Sequence, residues 1–227
     1  MPRAVDTRAK ILEIAEAEFA AEGYAGAHLQ KIAEQVDVRK TALYYYFDSK
    51  AALYSAVLES ILEDLDRVVA GALETTETPQ RQLEELVTRF NELLAENPNF
   101  ARILLRVFVD RPPGLTATLL PTLTRVIGRV MSCYQRGVEA GTFRRISTRH
   151  FFLSSFGLML FHYAAPAFSA AVLGVEDVFT GSVVAWRRDE VLELLRAGVQ
   201  LLLKESTASS KALVEGLVVV PKGKGAK

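Results

Sequence analysis

The segment 29–50, LQKIAEQVDVRKTALYYYFDSK, constrains the fold of this chain more than any other stretch. Ile32, Ala33 and Val36 lie at spacings of one and four residues, which places them on one face of a short helix. Asp37 follows, and aspartate tolerates the left-handed backbone of a tight turn, although less well than glycine. The pattern therefore predicts two short helices joined by a tight turn, the helix-turn-helix arrangement.

The second of these helices has two different faces. Its apolar residues, Ala42, Leu43 and Phe47, recur at helical spacing and can pack on the first helix. The polar, long side chains that point elsewhere are Arg39, Lys40, Thr41 and Tyr45. Such side chains at the N-terminal end of a short helix suit the major groove of DNA. The alternative is an ordinary helical core whose consecutive tyrosines form a solvated edge.

The same stretch resembles the N-terminal region of the TetR family of bacterial transcriptional repressors. The matching elements are Gly23-Tyr24, Ile32-Ala33, Val38, the run 43–47 and Ser49-Lys50. The resemblance is strong over residues 7–60 and weaker but consistent over residues 80–205. It implies a homodimer that binds a near-palindromic operator in double-stranded DNA. The expected contacts are Arg39, Lys40 and Thr41 to the groove, and Tyr44, Tyr45 and Lys50 to phosphates.

The chain departs from the family pattern at residues 27, 37 and 39. Members of the family usually have threonine at the position of Ala27, where it caps the second helix and touches a phosphate. Alanine has no capping oxygen, a loss of about 1 kcal/mol, which His28 can replace only in part. The family usually has glycine at Asp37 and a small residue at Arg39. We expect the fold to be retained and the DNA contacts to differ in detail.

The charge balance does not by itself point to a nucleic acid. The formal net charge is +0, and residues 1–50 carry slightly more acidic than basic side chains. Basic residues nevertheless cluster around the predicted groove-binding helix, at Arg39, Lys40 and Lys50. Cys133 is the single cysteine, which excludes a disulfide within one chain and suits a reducing cytoplasm. No apolar run near the N-terminus predicts a secretory signal.

Residues 151–175 contain no Lys, Arg, Asp or Glu. A segment of that length is able to span a bilayer, and basic residues before it and acidic residues after it suit one orientation. Polar residues such as Ser154, Ser155 and His162 dilute it, and no second span accompanies it. A helix buried in a bundle or in a subunit interface is also apolar all round. We favour the buried helix and expect no membrane partner.

The remaining pattern predicts an all-α chain with an N-terminal three-helix head, a C-terminal helical bundle and about nine helices. The expected helices cover residues 7–22, two short stretches within 29–47, and 49–73, 80–96, 99–110, 121–139, 151–175 and 186–204. We divide the chain into a helix-turn-helix DNA-binding domain at residues 1–50, a connecting helix at 49–73, a ligand-binding and dimerisation domain at 74–205, and a loose tail at 206–227.

No catalytic pattern supports an enzyme, because the chain has no glycine-rich phosphate loop, no HExxH and no GxSxG. The histidines His28, His150 and His162 are far apart and give no metal signature, so we expect no metal and no cofactor. The body instead holds aromatic and sulfur-containing side chains on long helices, which suit a pocket between bundle helices. Plain core packing would use the same residues. The predicted pocket residues are Arg106, Phe108, Tyr134, Met159 and His162.

In the TetR family the C-terminal helices form an inducer pocket, and the last two helices of each subunit form a four-helix dimer interface. The resemblance therefore places an interface on the last two expected helices, at Phe156, Leu160, Val191, Leu195 and Leu202. It implies a cytoplasmic repressor released by a small, largely apolar effector, which Arg106 would allow to carry an acidic end. The alternative is a helical small-molecule-binding or membrane-associated protein without DNA-binding activity.

Overall fold

A computed structural model describes residues 3–74, 78–110 and 119–200, and all regular structure in these ranges is helical. This confirms the all-α prediction. The described helices are α1 (Arg3–Gly26), α2 (Leu29–Val36), α3 (Lys40–Tyr46), α4 (Lys50–Glu74), α5 (Pro79–Glu96), α6 (Pro98–Asp110), α7 (Leu119–Glu139), α8 (Thr148–Ala164), α9 (Pro166–Leu173) and α10 (Gly181–Gln200). The predicted tail, residues 206–227, lies outside the described residues.

The sequence analysis predicted one helix over the uncharged segment 151–175, but the structure divides this segment between α8 and α9. Between α8 and α9 the axis bends by 93°. Ala165 has non-helical backbone angles (φ −119, ψ 59), and Pro166 begins α9. A proline disfavours the helical backbone of the residue before it and has no N–H to continue the ladder, so the helix ends there. The described chain consequently contains ten helices rather than about nine.

The same bend bears on the membrane question. Within the described ranges, no single helix has the length and apolarity needed to cross a membrane. The bent pair of α8 and α9 satisfies the length and composition test when the two are taken together.

Helices α1, α2 and α3 form a compact head with α4. Gly23 interrupts α1 with a positive φ of 73° and ψ of 176°, a backbone that glycine adopts without a Cβ clash. Beyond this break, Tyr24 packs edge-on against Tyr54 of α4, with ring centroids 5.2 Å apart. Phe19 meets the same Tyr54 ring edge-on at 4.8 Å. These aromatic contacts fix the end of α1 against the start of the connecting helix.

The head and the body share one apolar core. Helix α4 packs against α1 in the head and against α5 and α7 in the body, and α6 packs against both α1 and α8. The buried cluster runs without interruption from Ile11 in α1 through Leu65 in α4 to Val191 in α10. The division of the chain at residue 74 stays a prediction.

Candidate nucleic-acid interface and ligand cavity

The turn between α2 and α3 has the geometry that the sequence predicts. Asp37 adopts the left-handed conformation (φ 63, ψ 46) and ends α2. Its backbone N–H donates to the carbonyl of Glu34 at 3.1 Å, and the N–H of Val38 donates to the carbonyl of Ala33 at 2.9 Å. These bonds satisfy carbonyls at the end of α2 that have no partner within the helix.

Helix α3 buries its apolar face and exposes its polar one. Leu43 is 2% exposed and packs with Ile32 and Ala33, neither of which has any exposed area. The side chains of Arg39, Lys40, Thr41, Tyr44 and Tyr45 are exposed, and Tyr45 reaches 85%. Five of the six predicted DNA-contacting residues are therefore exposed, four of them on α3 and Arg39 at its N-cap.

Lys50, the sixth, is turned toward the head. Its ammonium group donates to the backbone carbonyl of Ala25 at 3.1 Å and lies 5.1 Å from the centre of the Tyr24 ring. Partial burial lowers the pKa of Lys50, and the carboxylate of Glu18 opposes that effect. Lys50 thus ties the start of α4 to the end of α1, close to but not within the exposed face of α3.

The N-terminus of α2 is stabilised by Glu18, a residue that the sequence patterns did not select. His28 occupies the N-cap but makes no capping bond with its side chain, and Ala27 is buried. The backbone N–H of His28 instead donates to the Glu18 carboxylate at 3.3 Å, and Lys31 forms a 2.5 Å ion pair with it. The only sequence signal for this role is a charged residue inside the apolar stripe around Phe19.

The pKa of Glu18 reflects this arrangement. Burial alone would raise the pKa of the carboxyl, but the hydrogen bonds from Lys31 and from the His28 backbone outweigh it, so the net shift is downward. The ionised carboxylate faces the positive end of the α2 dipole. We expect Glu18 to supply the capping function that the family places on threonine.

The body contains a cavity of about 390 Å³ between α4, α5, α6, α7, α8 and α10. This volume lies within the range of small-molecule sites. Its walls are aliphatic and aromatic, and Phe156 stands at their centre. The Phe156 ring stacks on Phe90 at 6.0 Å and on Phe152 at 5.7 Å, and it meets Phe108 edge-on at 6.0 Å. The lining by these rings identifies the cavity as the candidate ligand site.

Of the predicted pocket residues, Phe108 and Met159 line this cavity and the others do not. Tyr134 stacks on Phe143 and Phe151 in a separate cluster and donates its hydroxyl hydrogen bond to the carbonyl of Arg144 at 2.9 Å. Its aromatic ring is used in the packing of α7 on the turn before α8.

Arg106 is directed to the head. Its guanidinium donates to the carbonyl of Ala20 at 3.2 Å and to the carbonyl of Ala21 at 2.7 Å. These carbonyls lie just before the break at Gly23, so Arg106 satisfies the end of the first part of α1. The partner of this half-buried arginine is therefore backbone, and the sequence-based reason for an acidic effector is removed.

His162 belongs to a polar cluster at the junction of α8 and α10. Its ring lies edge-on to Tyr163 at 4.6 Å, and its Nε2 is buried without a described hydrogen-bond partner. Burial, with a contribution from the nearby Arg187, lowers the pKa of His162 to about 4. Tyr163 donates to Asn91 at 2.9 Å, and burial raises its pKa to about 12. The imidazole is therefore neutral at physiological pH.

The predicted interface residues are used within the chain. Leu160 and Val191 are buried, Phe156 and Leu195 are half-buried and line the cavity, and Leu202 lies outside the described residues. Other apolar side chains of α8, α9 and α10 are exposed. We call them the apolar face: Leu153, Phe161, Phe168, Val172, Trp186 and Leu194.

Polar contacts join two walls of the cavity, α4 and α7. Asp66 of α4 accepts hydrogen bonds from Arg129 at 2.8 Å and from Arg125 at 3.1 Å, both on α7. Leu65 and Val69, its neighbours on α4, line the cavity. Since α4 also forms part of the head, one continuous helix joins the cavity to the helix-turn-helix.

No metal site accompanies these features in the described part of the chain, where no group of three or more His, Cys, Asp or Glu side chains is close enough to hold an ion.

The profile of the family described as "Bacterial regulatory proteins, tetR family" matches residues 11–57. The transcriptional regulator RutR of Escherichia coli K12 is 32% identical over 149 residues, which cover 65% of this chain and 70% of RutR. The transcriptional repressor NicS of Pseudomonas putida is 29% identical over 135 residues. That match covers 60% of this chain and 63% of NicS, just under two thirds.

The fold also matches solved structures. The TetR-family transcriptional regulator PfmR of Thermus thermophilus superposes with a TM-score of 0.64. The two chains are 22% identical, and the match covers 81% of this chain and 97% of PfmR. At that identity the likeness establishes the fold.

Proposed function

Because the chain belongs to the TetR family of DNA-binding transcriptional regulators, we propose that it is a homodimeric repressor released from a near-palindromic operator by a small apolar effector. The observation that carries the DNA-binding part is the exposed polar face of α3 directly after a tight left-handed turn. A short helix presented in this way fits the major groove. The proposal includes a cytoplasmic location, where DNA and effector meet.

Arg39, Lys40 and Thr41 are proposed to contact base edges, and Tyr44 and Tyr45 to contact phosphates. Lys40 is exposed at the first position of α3, where an ammonium is free to pair with DNA. Lys50 is proposed to act indirectly, because its ammonium already bonds to the carbonyl of Ala25.

The test of DNA binding is selection of bound sequences from random duplex DNA with the purified protein. We expect an enriched near-palindrome whose half-sites are about one helical turn, ~34–36 Å, apart. Lys40→Ala should weaken binding and relax the preference at one base position, as expected for a contact to a base edge. Uniformly weaker binding to all sequences, with the salt dependence of log K reduced by about one unit, would assign Lys40 to a phosphate instead.

The matched control is Arg67→Ala, which removes one exposed positive charge from α4, far from α3 in sequence. Its operator affinity and salt dependence should equal those of the wild type. Recovery of no enriched sequence at all would contradict the proposed function.

Dimerisation is proposed to use the apolar face. Large apolar side chains are exposed on α8, α9 and α10, and exposed apolar surface supports a contact site when it forms a patch; the family resemblance suggests an interface on these helices. Leu194 is 57% exposed on α10. Leu194→Arg should therefore give monomers without unfolding them, as measured by sedimentation and circular dichroism.

Val109→Arg is the control for that variant, because Val109 is exposed on α6, outside the apolar face. It should sediment like the wild type. If Leu194→Arg also remained dimeric, the interface would lie elsewhere on the chain.

Release is proposed to follow from the continuity of α4. The spacing of the two recognition helices in the dimer must match successive major grooves. A ligand that binds better to a dimer with another spacing therefore lowers the population of the DNA-binding conformation. Met159→Trp should fill the cavity and abolish release, because Met159 is buried in its wall. Met131→Trp, at a half-buried position of α7 that does not line the cavity, should retain release.

Arg106 is proposed to carry part of the coupling, since it joins α6, whose Phe108 lines the cavity, to the end of the first part of α1. Arg106→Ala should leave ligand affinity for the free protein unchanged and reduce the factor by which ligand weakens DNA binding. Linkage requires the reverse effect, of DNA on ligand, to shrink equally. Arg102→Ala, also on α6, is the control and should retain the wild-type coupling.

A further inference from the structure

The described walls of the cavity carry no charge. Every described side chain that lines it is aliphatic or aromatic, apart from Met159, Gly157 and Ser155. Arg106, the cation that would have suited an acidic ligand, bonds to the carbonyls of Ala20 and Ala21 instead. An ionised carboxylate that entered this cavity would lose its hydration without gaining a counter-ion, which is strongly unfavourable.

Ser155 is the single hydroxyl-bearing side chain among the described lining residues. Its Oγ is buried and has no described hydrogen-bond partner. Buried hydroxyls in folded proteins are nearly always hydrogen-bonded, because an unpaired one loses its bonds to water without replacement. The other described residues of the cavity wall have no polar side chain to pair with it, so a group on a ligand is the natural partner.

We propose that the effector is an uncharged lipophilic molecule with one hydrogen-bonding group, a hydroxyl, carbonyl or ether, which pairs with the Ser155 hydroxyl. This inference rests on the proposed function, since it assigns the chemical class of the ligand that occupies the regulatory cavity. The phenyl rings around Phe156 contact the apolar body of the molecule. Ser155 sets its orientation, and the lack of a described cation rejects acids of the same length.

The experiment uses three probes of equal chain length, 1-octanol, octane and octanoate, on the full-length protein in the absence of DNA. Their binding is measured by displacement of the neutral fluorophore N-phenyl-1-naphthylamine, with Met159→Trp as the check that the fluorophore occupies the cavity. Octanol should bind at least about a hundredfold more tightly than octanoate, given the cost of an unpaired buried charge.

Ser155→Ala tests the polar anchor. The substitution should reduce the affinity for octanol about five- to tenfold, which corresponds to one net hydrogen bond. The affinity for octane should be the same in the wild type and in Ser155→Ala. Ser154→Ala is the matched control, because Ser154 is exposed on the same helix and does not line the cavity. Comparing ratios cancels any general effect of the substitution on the cavity.

The outcomes separate this inference from the proposed function. Three outcomes would overturn the proposed ligand class. Octanoate could bind as tightly as octanol, Ser155→Ala could change the affinities for octanol and octane equally, or none of the probes could displace the fluorophore. Operator binding by the same preparations would then still support a DNA-binding regulator. Conversely, a protein that shows the Ser155 effect but binds no duplex DNA would retain the ligand class and lose the regulatory role.

Discussion

His162 should make the stability of this protein fall in mild acid. Its side chain is 5% exposed, its Nε2 has no described partner, and Arg187 adds positive charge nearby. Burial therefore lowers its pKa from 6.5 to about 4. Because the folded state disfavours the protonated form, the stabilisation from neutral His162 is complete above the unfolded-state pKa of 6.5 and is lost as pH falls from there toward 4.

The magnitude follows from linkage. The full shift corresponds to about 3 kcal/mol once the pH lies below both pKa values. At about pH 5 the unfolded chain is almost fully protonated at this site while the folded chain is not, so roughly 2 kcal/mol is lost relative to about pH 7.5. A loss of that size is a large fraction of the stability of a typical domain.

The assay is urea unfolding followed by circular dichroism at several pH values between about 5 and 7.5. It compares the wild type with His162→Gln, which does not titrate, at one fixed protein concentration because the proposed dimer makes stability concentration-dependent. The difference in free energy of unfolding between the two proteins should change by about 2 kcal/mol across this range, because the contributions of other titrating groups cancel. His150→Gln, at an exposed position of α8, should retain the wild-type profile.

If the difference in free energy of unfolding between wild type and His162→Gln did not change with pH, the reasoning would be refuted. The imidazole would then take up its proton equally in the folded and the unfolded state. If the wild type gained stability relative to His162→Gln toward acid, the protonated imidazole would have an anionic partner in the folded state.

Further predictions concern backbone geometry. Asp37→Gly should stabilise the protein by about 0.5–1 kcal/mol in urea unfolding, because glycine relieves the left-handed strain at φ 63° by more than its own entropy cost; a destabilised variant would assign the Asp37 side chain a stabilising contact. Gly137→Ala should cost about 1–3 kcal/mol, since its new Cβ would collide with the buried ring of Phe143. Gly128→Ala, on the same helix with open space around it, should be neutral or stabilising by up to about 1 kcal/mol, and equal effects at the two glycines would contradict the predicted clash.

Local patterns in the sequence were sufficient for the head. The apolar spacing around Ile32 and Leu43 and the aspartate at position 37 are patterns among residues close in the chain. The structure buries the two apolar residues and places Asp37 in the left-handed turn, as predicted. The exposed polar face of α3 follows from the same helical period. The bounds predicted for α5, α6 and α7 lie within two residues of those observed, whereas α10 begins at Gly181, five residues before its predicted start at 186.

The break at Ala165 was missed for a physical reason. A long uncharged segment has no periodic polar face. Its hydrophobicity therefore predicts burial but does not indicate how many helices the segment forms. Pro166 was a local signal for the break, but a proline is compatible with either a kink within one helix or the start of another. The structure shows that Pro166 begins a second helix and that the two axes meet at 93°.

The sequence by itself indicated an all-α chain, the pair of short helices around Asp37 and the resemblance to the TetR family, because these depend on local spacing. Only the tertiary structure decided that Arg106 bonds to carbonyls of α1, that His162 lies in a polar cluster beside Arg187, and that Ser155 lines the cavity. An arginine on an apolar helix needs a partner wherever it is buried, but which partner it finds depends on residues 85 or 86 positions away in the chain. No period in the sequence records such a distance.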